Sequence, residues 1–390
     1  MNPLDGLTVV SLEQAVAAPF ATRQLADLGA RVIKIERPGP GDFARGYDET
    51  VRGLASHFVW LNRSKESVAL DLKTEHGRAA VKALVSRADV FVQNLAPGAA
   101  ERLGLGSDTL RAANPGLIHV SISGYGSGGP YTDKKAYDLL VQCEAGLVSI
   151  TGTEDEPSKV GISIADIASG MYAYTGILAA LLQRQRTSAG VTIEISMLEA
   201  LAEWMGFPLN YATYGGTPPR RTGARHSAIA PYGPFQCGDG EQVFLGLQNE
   251  REWATFCEQI LHDPALAADP RFARNSSRVE NAAQLQDEIE QAFRDDTAPD
   301  VAKRLETAGI ANALLRDMAG LASHPQLRAR DRWKEYASPA GTLSALIPPA
   351  TFVGAEPVMG PVPDVGEHTD AVLAEFGVLP PTAPEGAGQA

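Results

Sequence analysis

The 390-residue sequence predicts an α/β protein with a doubly wound parallel sheet in its first half and a smaller mixed domain behind it. Three observations predict this arrangement. Short apolar segments alternate with helical patterns up to about residue 123, which is typical of parallel strands covered by helices on both faces. A stretch rich in Gly, Pro and Arg at 214–223 marks a boundary. The length favours two or three domains over one.

Local patterns predict the elements of this first half. Residues 7–12 (LTVVSL) have the composition of a buried strand, and the helical pattern at 19–28 ends before Gly29, a favourable helix stop. The segment 165–185 is apolar or small on nearly every face, which is typical of a buried helix, and Asp166 lies in its first turn. Further strands are expected at 31–36, 67–72, 89–94 and 117–123, and a further helix at 75–86.

The second half predicts a different architecture. A strand at 241–247 and amphipathic helices at 250–261, 283–293 and 299–308 indicate a smaller mixed domain at 225–325. Short apolar runs broken by proline follow at 342–362, and a last helix is expected at 369–376. The Pro- and Gly-rich tail at 381–390 predicts disorder.

Composition and charge exclude several classes of function. The formal net charge of -13 is unfavourable for a nucleic-acid-binding protein, because affinity for phosphate backbones comes from Lys and Arg. Cys143, Cys237 and Cys257 are widely spaced, and the histidines have no ligand spacing, so we expect reduced structural thiols and no metal site. The first residues contain acidic side chains and no basic run, and no apolar segment reaches membrane length, which favours a cytoplasmic protein.

Asp166 is the most informative single residue, and its position supports two interpretations. An aspartate near a helix start accepts backbone N–H bonds and complements the helix dipole, which is an ordinary capping role. The same helix terminus would keep a nucleophilic carboxylate ionised in a dry pocket, beside small residues that leave space for a bulky thioester. The residues alone do not decide between these interpretations.

Two further motifs also have a structural and a functional interpretation. Residues 124–129 (GYGSGG) satisfy the G-x-G-x-x-G spacing, but Pro130 and the polar residues after it do not open a helix, so a loop that lets the backbone approach a ligand or another chain is favoured over a dinucleotide site. A basic cluster is typical either of a solvated linker or of a clamp for a carboxylate or phosphate. It consists of Arg220, Arg221, Arg225 and His226.

Several stretches together carry a family resemblance over nearly the whole chain. They are AAPFATRQLADLGARVIKIERPGPGDFAR near the start, NRSKESVALDLK at 62–73, VQNLAPGAAERLGLG at 92–106, NPGLIHVSISGYGSGGPY at 114–131, the Asp166 helix and GEHTDAVL at 366–373. In this order they resemble the family III coenzyme A transferases, the group that contains formyl-CoA transferase, carnitine CoA-transferase and α-methylacyl-CoA racemase. In character the chain resembles the dicarboxylate CoA-transferases of the itaconate, mesaconate and succinate type.

The resemblance implies a fold and its partners. It implies a Rossmann-like α/β large domain built from residues 1–205 and 326–380, a linker at 206–224, and a smaller α+β domain at 225–325 inserted between the two parts. It also implies an interlocked homodimer. Coenzyme A is bound as a substrate and no cofactor is held permanently, so acyl-CoA and small carboxylic acids are the expected partners, without nucleic acid or membrane.

The resemblance also implies site residues. Asp166 matches the family's nucleophilic aspartate, and Arg225 and His226 stand where an acyl tail would end. Residues 15–17 form a loop whose backbone N–H groups face the reacting carbonyl. The positions that match CoA-contacting residues are Ala15, Val16, Ala17, Arg37, Leu70, Lys73, Asn94, Arg102, Lys135, Tyr137 and Asp138.

The resemblance favours one reaction over another. Racemases of the family carry Gly-His-Asp, whose His works with the helix Asp as an acid/base pair. This chain has Ala136-Tyr137-Asp138 there, and tyrosine is a poor proton acceptor near neutral pH. The mobile glycine tetrad of formyl-CoA transferase has no match at 221–235, which disfavours formate and oxalate as substrates.

We therefore expect an enzyme that moves CoA from an acyl-CoA donor, with succinyl-CoA expected, to a small dicarboxylic acid through anhydride and aspartyl-CoA thioester intermediates on Asp166. The alternative is an acyl-CoA isomerase, either a racemase or an enzyme that moves CoA between two carboxylates of one molecule. A third interpretation is a non-catalytic CoA-binding protein.

Overall fold

A six-stranded sheet organises the first half of the chain in the computed structural model, which describes residues 2–216 and 218–378. Its strands are β1 (Thr8–Leu12), β2 (Arg31–Glu36), β3 (Lys65–Ala69), β4 (Val90–Gln93), β5 (Ile118–Ser123) and β6 (Thr192–Ser196). All neighbouring strands are parallel, in the order β3, β2, β1, β4, β5, β6. This is a Rossmann-type order, so the predicted α/β class with a doubly wound parallel sheet is confirmed.

Helices cover both faces of this sheet. In chain order they and the remaining helices are α1 (Ala17–Asp27), α2 (Ser56–Asn62), α3 (Glu75–Val85), α4 (Ala99–Arg102), α5 (Ser107–Ala113), α6 (Asp138–Glu144), α7 (Leu147–Ile150), α8 (Ile164–Thr187), α9 (Met197–Trp204), α10 (Gly206–Tyr214), α11 (Glu250–Gln259), α12 (Asn275–Glu280), α13 (Ala282–Phe293), α14 (Ala298–Thr307), α15 (Met318–Ala322), α16 (Pro325–Ala329) and α17 (Thr369–Glu375). Two 3-10 helices span Phe43–Gly46 and Pro264–Ala268. Apolar side chains of β1 to β4 pack with α3, α5 and α17 on one face, and α1 and α8 lie against the other.

The chain divides into two units. The first consists of Met1–Gly146, Val160–Gly206 and Leu327–Ala390, and the second of Leu147–Lys159 and Phe207–Gln326. The second unit contains an antiparallel sheet of β7 (Tyr232–Gln236), β8 (Gln242–Gly246) and β9 (Ala311–Leu314). Its core includes buried aromatic side chains from helices α11 and α13 and from the loop between them, namely Trp253, Phe256, Phe272 and Phe293. A short antiparallel pair, β10 (Trp333–Tyr336) and β11 (Leu343–Leu346), belongs to the first unit.

The end of the chain returns to the first unit and covers its edge strand. The N–H of His368 donates to the carbonyl of Ser67 (3.0 Å), and the N–H of Ala69 donates to Thr369 Oγ1 (2.9 Å). Val372 of α17 is buried in the core beneath β3. The last segment therefore supplies hydrogen bonds and apolar cover to β3.

The sequence-based boundaries differ from the structure in two places. The expected linker at 206–224 begins with a helix, α10, and residues 147–159, which were assigned to the large domain, belong to the second unit. Strands β6, β7 and β9 were not predicted, because each is short and lacks a continuous apolar run. The predicted disordered tail at 381–390 lies outside the described residues.

Helix α8 contradicts the prediction that no apolar segment reaches membrane length. It has 24 residues, and an 18-residue window within it has a mean hydropathy of 1.3. By length and composition it could therefore cross a membrane, and it is the one such helix in the described ranges. Its buried residues are mostly small, among them Ala165, Ala168, Gly170 and Ala173. Small side chains allow close packing with α1, which is what a core helix requires.

Gly170 sets the distance between α1 and α8. A Cβ atom on Gly170 would lie 2.6 Å from the carbonyl oxygen of Ala17, whereas one on Gly176 of the same helix would meet only Ile193 at 3.6 Å. We expect Gly170→Ala to lower the free energy of unfolding by about 1–3 kcal/mol through overpacking.

Gly176→Ala is the matched control. It should be neutral or stabilising by up to about 1 kcal/mol, because alanine favours helix more than glycine does. Urea unfolding of both variants measures the difference. Equal stability of the two variants would contradict the close contact.

Candidate active site

The candidate site lies at the carboxyl edge of the six-stranded sheet. The chain leaves β1 towards β2 and leaves β4 towards β5, so the loops after β1 and β4 flank a topological switch point, where ligands bind in open α/β sheets. Residues 13–16 follow β1, and we call them the β1 loop. Asn94 follows β4 and holds this loop: the N–H of Gln14 donates to Asn94 Oδ1 (2.9 Å), and Asn94 Nδ2 donates to the carbonyl of Gln14 (2.9 Å).

A buried ion cluster lies beneath the β1 loop. Its members are Glu13, Lys34, Asp42 and Lys65, whose side chains are fully buried. Lys65 Nζ lies 2.7 Å from Glu13 Oε1, and Lys34 Nζ lies 2.8 Å from Asp42 Oδ2 and 3.5 Å from Glu13 Oε1. Two cations and two anions thus compensate one another where a single buried charge would be very costly.

The cluster shifts the pKa of its members in different directions. Burial alone would raise the pKa of Glu13, but the charges of Lys65 and Lys34 outweigh this effect and lower it. Burial would lower the pKa of Lys34, but the charges of Glu13 and Asp42 raise it above its ordinary value. For Lys65 burial prevails over Glu13 and lowers the pKa to about 8.

The β1 loop has an unusual backbone conformation at Ala15. Its φ is 60°, in the left-handed region that a residue with a Cβ rarely adopts. The N–H of Ala15 donates to Asp42 Oδ1 (3.2 Å), which also accepts the N–H of Ala44 (2.9 Å). The resemblance made the N–H groups of residues 15–17 candidates for holding a carbonyl oxygen. Because the N–H of Ala15 already donates to Asp42, the candidate donors for a carbonyl oxygen are the N–H groups of Val16 and Ala17. These two residues lie at the start of α1, where N–H groups have no partner within the helix.

Asp166 lies at the N-terminal end of α8. This helix connects the parallel strands β5 and β6, so it begins at the edge of the sheet where β5 ends. The contact of Gly170 with Ala17 brings the first turns of α8 and α1 together. The structure therefore places Asp166 on the same side of the sheet as the β1 loop.

The carboxylate of Asp138 holds the start of α8. Asp138 Oδ1 accepts the N–H groups of Ala165 (2.8 Å) and Asp166 (3.2 Å), and Gln142 Nε2 donates to Asp138 Oδ2 (2.6 Å). The preceding residue Ser163 makes no side-chain capping bond. Asp138, which the resemblance placed among the CoA contacts, thus performs the capping role that the sequence allowed for Asp166 itself.

Burial and a like charge act on Asp166. Burial, and secondly the charge of Asp138, raise the pKa of Asp166 to about 7. A carboxylate with this pKa is only partly ionised at neutral pH, because burial opposes the charged form and Asp138 adds a like charge. That the helix terminus keeps Asp166 ionised stays a prediction. Burial and the charges of Asp42 and Asp166 also raise the pKa of Tyr47 to about 12. The phenol of Tyr47 therefore lies within electrostatic range of both carboxylates.

The other predicted CoA contacts lie in segments that follow the strands of the sheet. Arg37 and Leu70 come directly after β2 and β3. Leu70 is buried, whereas the side chains of Arg37, Lys73, Arg102, Lys135 and Tyr137 are exposed. Their contacts with CoA stay predictions, as does that of Asn94, whose amide is engaged with Gln14. In the described residues no cluster of His, Cys, Asp or Glu could hold a metal ion.

The basic cluster separates into residues with different surroundings, all in the second unit. Arg221 donates to the carbonyls of Thr153 (2.8 Å) and Glu154 (2.7 Å), so it ties the segment 147–159 to the rest of that unit. Arg225 and His226 are exposed beside β7, where the ring of His226 stacks on Tyr232 at a centroid distance of 5.4 Å. The sequence did not indicate this structural role of Arg221.

Three functional residues escaped sequence analysis. Asp42 accepts the N–H of Ala15, 27 positions earlier in the chain, and the pKa of Tyr47 is raised by the distant Asp166, so no local pattern marks these two residues. Gln142 donates to Asp138 only four positions away, but nothing in the sequence indicated that Asp138 caps α8. The GPGD turn indicates only a 3-10 helix cap at Asp42. The long-range pairing of Ala15 with Asp42 was the missing information.

Comparison with known proteins agrees with the fold. The model of the family described as "CoA-transferase family III" matches residues 4–369. The acetyl-CoA:oxalate CoA-transferase of Acetobacter aceti is 38% identical over 85% of each chain. The succinyl-CoA:glutarate CoA-transferase of Mus musculus is 33% identical over 96% of this chain and 86% of its own. A CAIB/BAIF family protein from Brucella suis has a crystal structure with a TM-score of 0.84, 34% identity, and coverage of 96% of this chain and 100% of its own.

These similarities define the protein as an enzyme of the CoA-transferase class. The chain belongs to CoA-transferase family III, which confirms the resemblance drawn from its motifs.

The effect of Asp138 on Asp166 is directly measurable. In Asp138→Asn the amide oxygen still accepts the N–H groups of α8, but the like charge is gone, so we expect the pKa of Asp166 to fall from about 7. Carboxyl ¹³C shifts of aspartate-labelled protein, followed against pH, measure it, and Asp166→Asn identifies the signal. An unchanged midpoint would show that burial alone sets this pKa.

Proposed function

We propose that the protein transfers CoA from an acyl-CoA donor, with succinyl-CoA preferred, to a small dicarboxylic acid such as itaconate, mesaconate or glutarate. The observation that carries this proposal is the Asp166 carboxylate at the start of α8, with its pKa raised by burial and by Asp138. Family membership supports the reaction class. Relatives named for succinyl-CoA with glutarate, D-citramalate and mesaconate support the substrate class.

Asp166 acts as the nucleophile. Its carboxylate attacks the thioester carbonyl of the donor, the carbon–sulfur bond breaks, and CoA leaves as the thiolate, which creates a mixed anhydride on Asp166. The thiolate then attacks the aspartyl carbonyl, which frees the donor acid and leaves an aspartyl-CoA thioester. The acceptor carboxylate attacks this thioester, and the same steps in reverse release the new acyl-CoA and the Asp166 carboxylate.

The surroundings of Asp166 suit both halves of this sequence. Each attack creates an oxyanion, and the N–H groups of Val16 and Ala17 are candidate donors for it. A carboxylate whose pKa lies near 7 is poorly stabilised as an anion, which favours its attack once it is ionised. The exposed cations Arg37, Lys73, Arg102 and Lys135 are suited to the phosphates of CoA in an otherwise acidic protein.

The substrate class rests on fewer observations. Arg225 and His226 are exposed and are proposed to bind the second carboxylate of the dicarboxylic acid. The absence of a glycine tetrad disfavoured oxalate in the sequence analysis, yet a relative with 38% identity is named for oxalate. Oxalate therefore belongs among the acids to be tested.

Incubation with succinyl-CoA and a panel of mono- and dicarboxylic acids tests the proposal. We expect mass spectrometry to detect new dicarboxylyl-CoA products, and Asp166→Ala to lower turnover by at least about 10³-fold because the covalent route is lost. Tryptophan fluorescence titration with CoA should show binding by this variant, which separates loss of chemistry from loss of the fold.

Three outcomes would contradict parts of the proposal. Substantial transfer by Asp166→Ala would remove the nucleophile. Products from monocarboxylates alone would remove the role given to Arg225 and His226. Deuterium incorporation at the α-carbon of an acyl-CoA without CoA exchange would instead indicate a racemase.

The protein is further proposed to act as a homodimer. Large apolar side chains are exposed in the first unit, among them Ile162 and Leu182, and in the second unit along α10, where Tyr214 is 84% exposed. Apolar surfaces of this kind are typical of interfaces. Light scattering should give twice the mass of one 41.3 kDa chain. The mass of a single chain at micromolar concentration would contradict the dimer.

A further inference from the structure

We infer that Asp42 is a positioning residue for the reaction: its carboxylate, held by Lys34, fixes the β1 loop so that the N–H groups of Val16 and Ala17 face the reacting carbonyl. The inference rests on the proposed function for the role of these N–H groups. Asp42 itself lies below the loop and is fully buried, so it does not touch substrate.

The β1 loop is held at two successive residues. Asn94 binds Gln14 through both its N–H and its carbonyl, and Asp42 accepts the N–H of Ala15. Ala15 has a φ of 60°, which an alanine does not adopt without compensation. The bond to Asp42 supplies that compensation and determines the direction in which the chain enters α1.

Asp42 is itself held rigidly. Lys34 Nζ donates to Oδ2 (2.8 Å), the N–H of Ala44 donates to Oδ1 (2.9 Å), and the N–H of Asp42 donates to Glu36 Oε2 (2.8 Å). Both carboxylate oxygens are therefore fixed, one by a cation and one by two N–H groups. A loop attached to such a carboxylate has little freedom to move.

Asp27 allows the positioning role of Asp42 to be distinguished from a contribution to the stability of the fold. A second buried ion cluster lies at the other end of α1, where Asp27 Oδ2 is 2.6 Å from Arg23 Nη1 and 2.8 Å from Arg63 Nη2. Asp27 accepts no bond from the β1 loop. The two aspartates thus have comparable burial and ion pairing, but only Asp42 is bonded to residues 13–16.

The test compares Asp42→Asn with Asp27→Asn in the full chain. An asparagine at position 42 has one acceptor oxygen, so it cannot accept from Lys34 and also from the N–H groups of Ala15 and Ala44. The cation is the stronger donor, so the bond to Ala15 is the one expected to be lost. Both variants lose a buried ion pair, so both should have a lower Tm. At a temperature well below either Tm, we expect Asp42→Asn to lower kcat by about 10- to 100-fold, because a small displacement of catalytic donors is costly. The KM for acyl-CoA should stay within about twofold, and Asp27→Asn should retain the wild-type kcat.

A double variant tests the role of Ala15. Glycine adopts a positive φ without strain, so Asp42→Asn combined with Ala15→Gly should recover part of the lost kcat. Equal kcat in Asp42→Asn and Asp27→Asn would overturn the inference, as would a loss in Asp42→Asn that appears only in KM.

The loop geometry is also measured without turnover. Amide ¹⁵N shifts of Val16 and Ala17, from protein labelled in valine and alanine, should change in Asp42→Asn and not in Asp27→Asn. Unchanged shifts of Val16 and Ala17 in folded Asp42→Asn would overturn the positioning role. Absence of any CoA transfer by the wild type would instead overturn the proposed function, while the shifts would still report on the loop.

Discussion

The geometry of the site depends on the buried ion cluster of Glu13, Lys34, Asp42 and Lys65. Removing one partner of such a pair leaves an uncompensated buried charge, at a cost of about 3–5 kcal/mol. The cluster connects the carboxyl ends of β1 and β2 with β3 and the loop after β2. Its charges thus join β1, which flanks the switch point, to β2 and β3 before any ligand arrives. A binding edge that is fixed in advance loses less entropy when substrate binds.

Two aspartates have different roles at the N-terminus of α8, Asp166 in its first turn and Asp138 from the start of α6. Asp138 accepts the terminal N–H groups, and Asp166 remains free of them. If Asp166 capped its own helix, those bonds would stabilise its anion and make it a weaker nucleophile. Burial and the like charge of Asp138 raise the pKa of Asp166 to about 7, and the residue that caps α8 is thus not the proposed nucleophile.

Sequence analysis recovered the parts of the structure that local patterns determine. The alternation of strands and helices, the buried helix with Asp166 in its first turn, and the family motifs were all evident. Lys34 shows what local patterns do not indicate, namely the partners of a buried charge. The segment RVIKIE predicts a strand because Ile33 and Ile35 face one core, while Lys34 points to the opposite face, where its partners come from 8 and 21 positions away. The influence of Asp138 on the pKa of Asp166 was not evident from the sequence for the same reason, since Asp138 lies 28 positions earlier.

The return of the chain end to β3 has a consequence during synthesis. Until residues 366–375 leave the ribosome, the strand at the edge of the sheet has neither its last hydrogen-bond partners nor the apolar cover of α17. Some 300 residues separate Ala69 from Thr369, and the second unit lies between them in the chain. The edge of β3 therefore stays unpaired while the second unit is translated. Its completion is therefore one of the last events of folding, and a truncated chain would expose a strand edge prone to pairing with other chains.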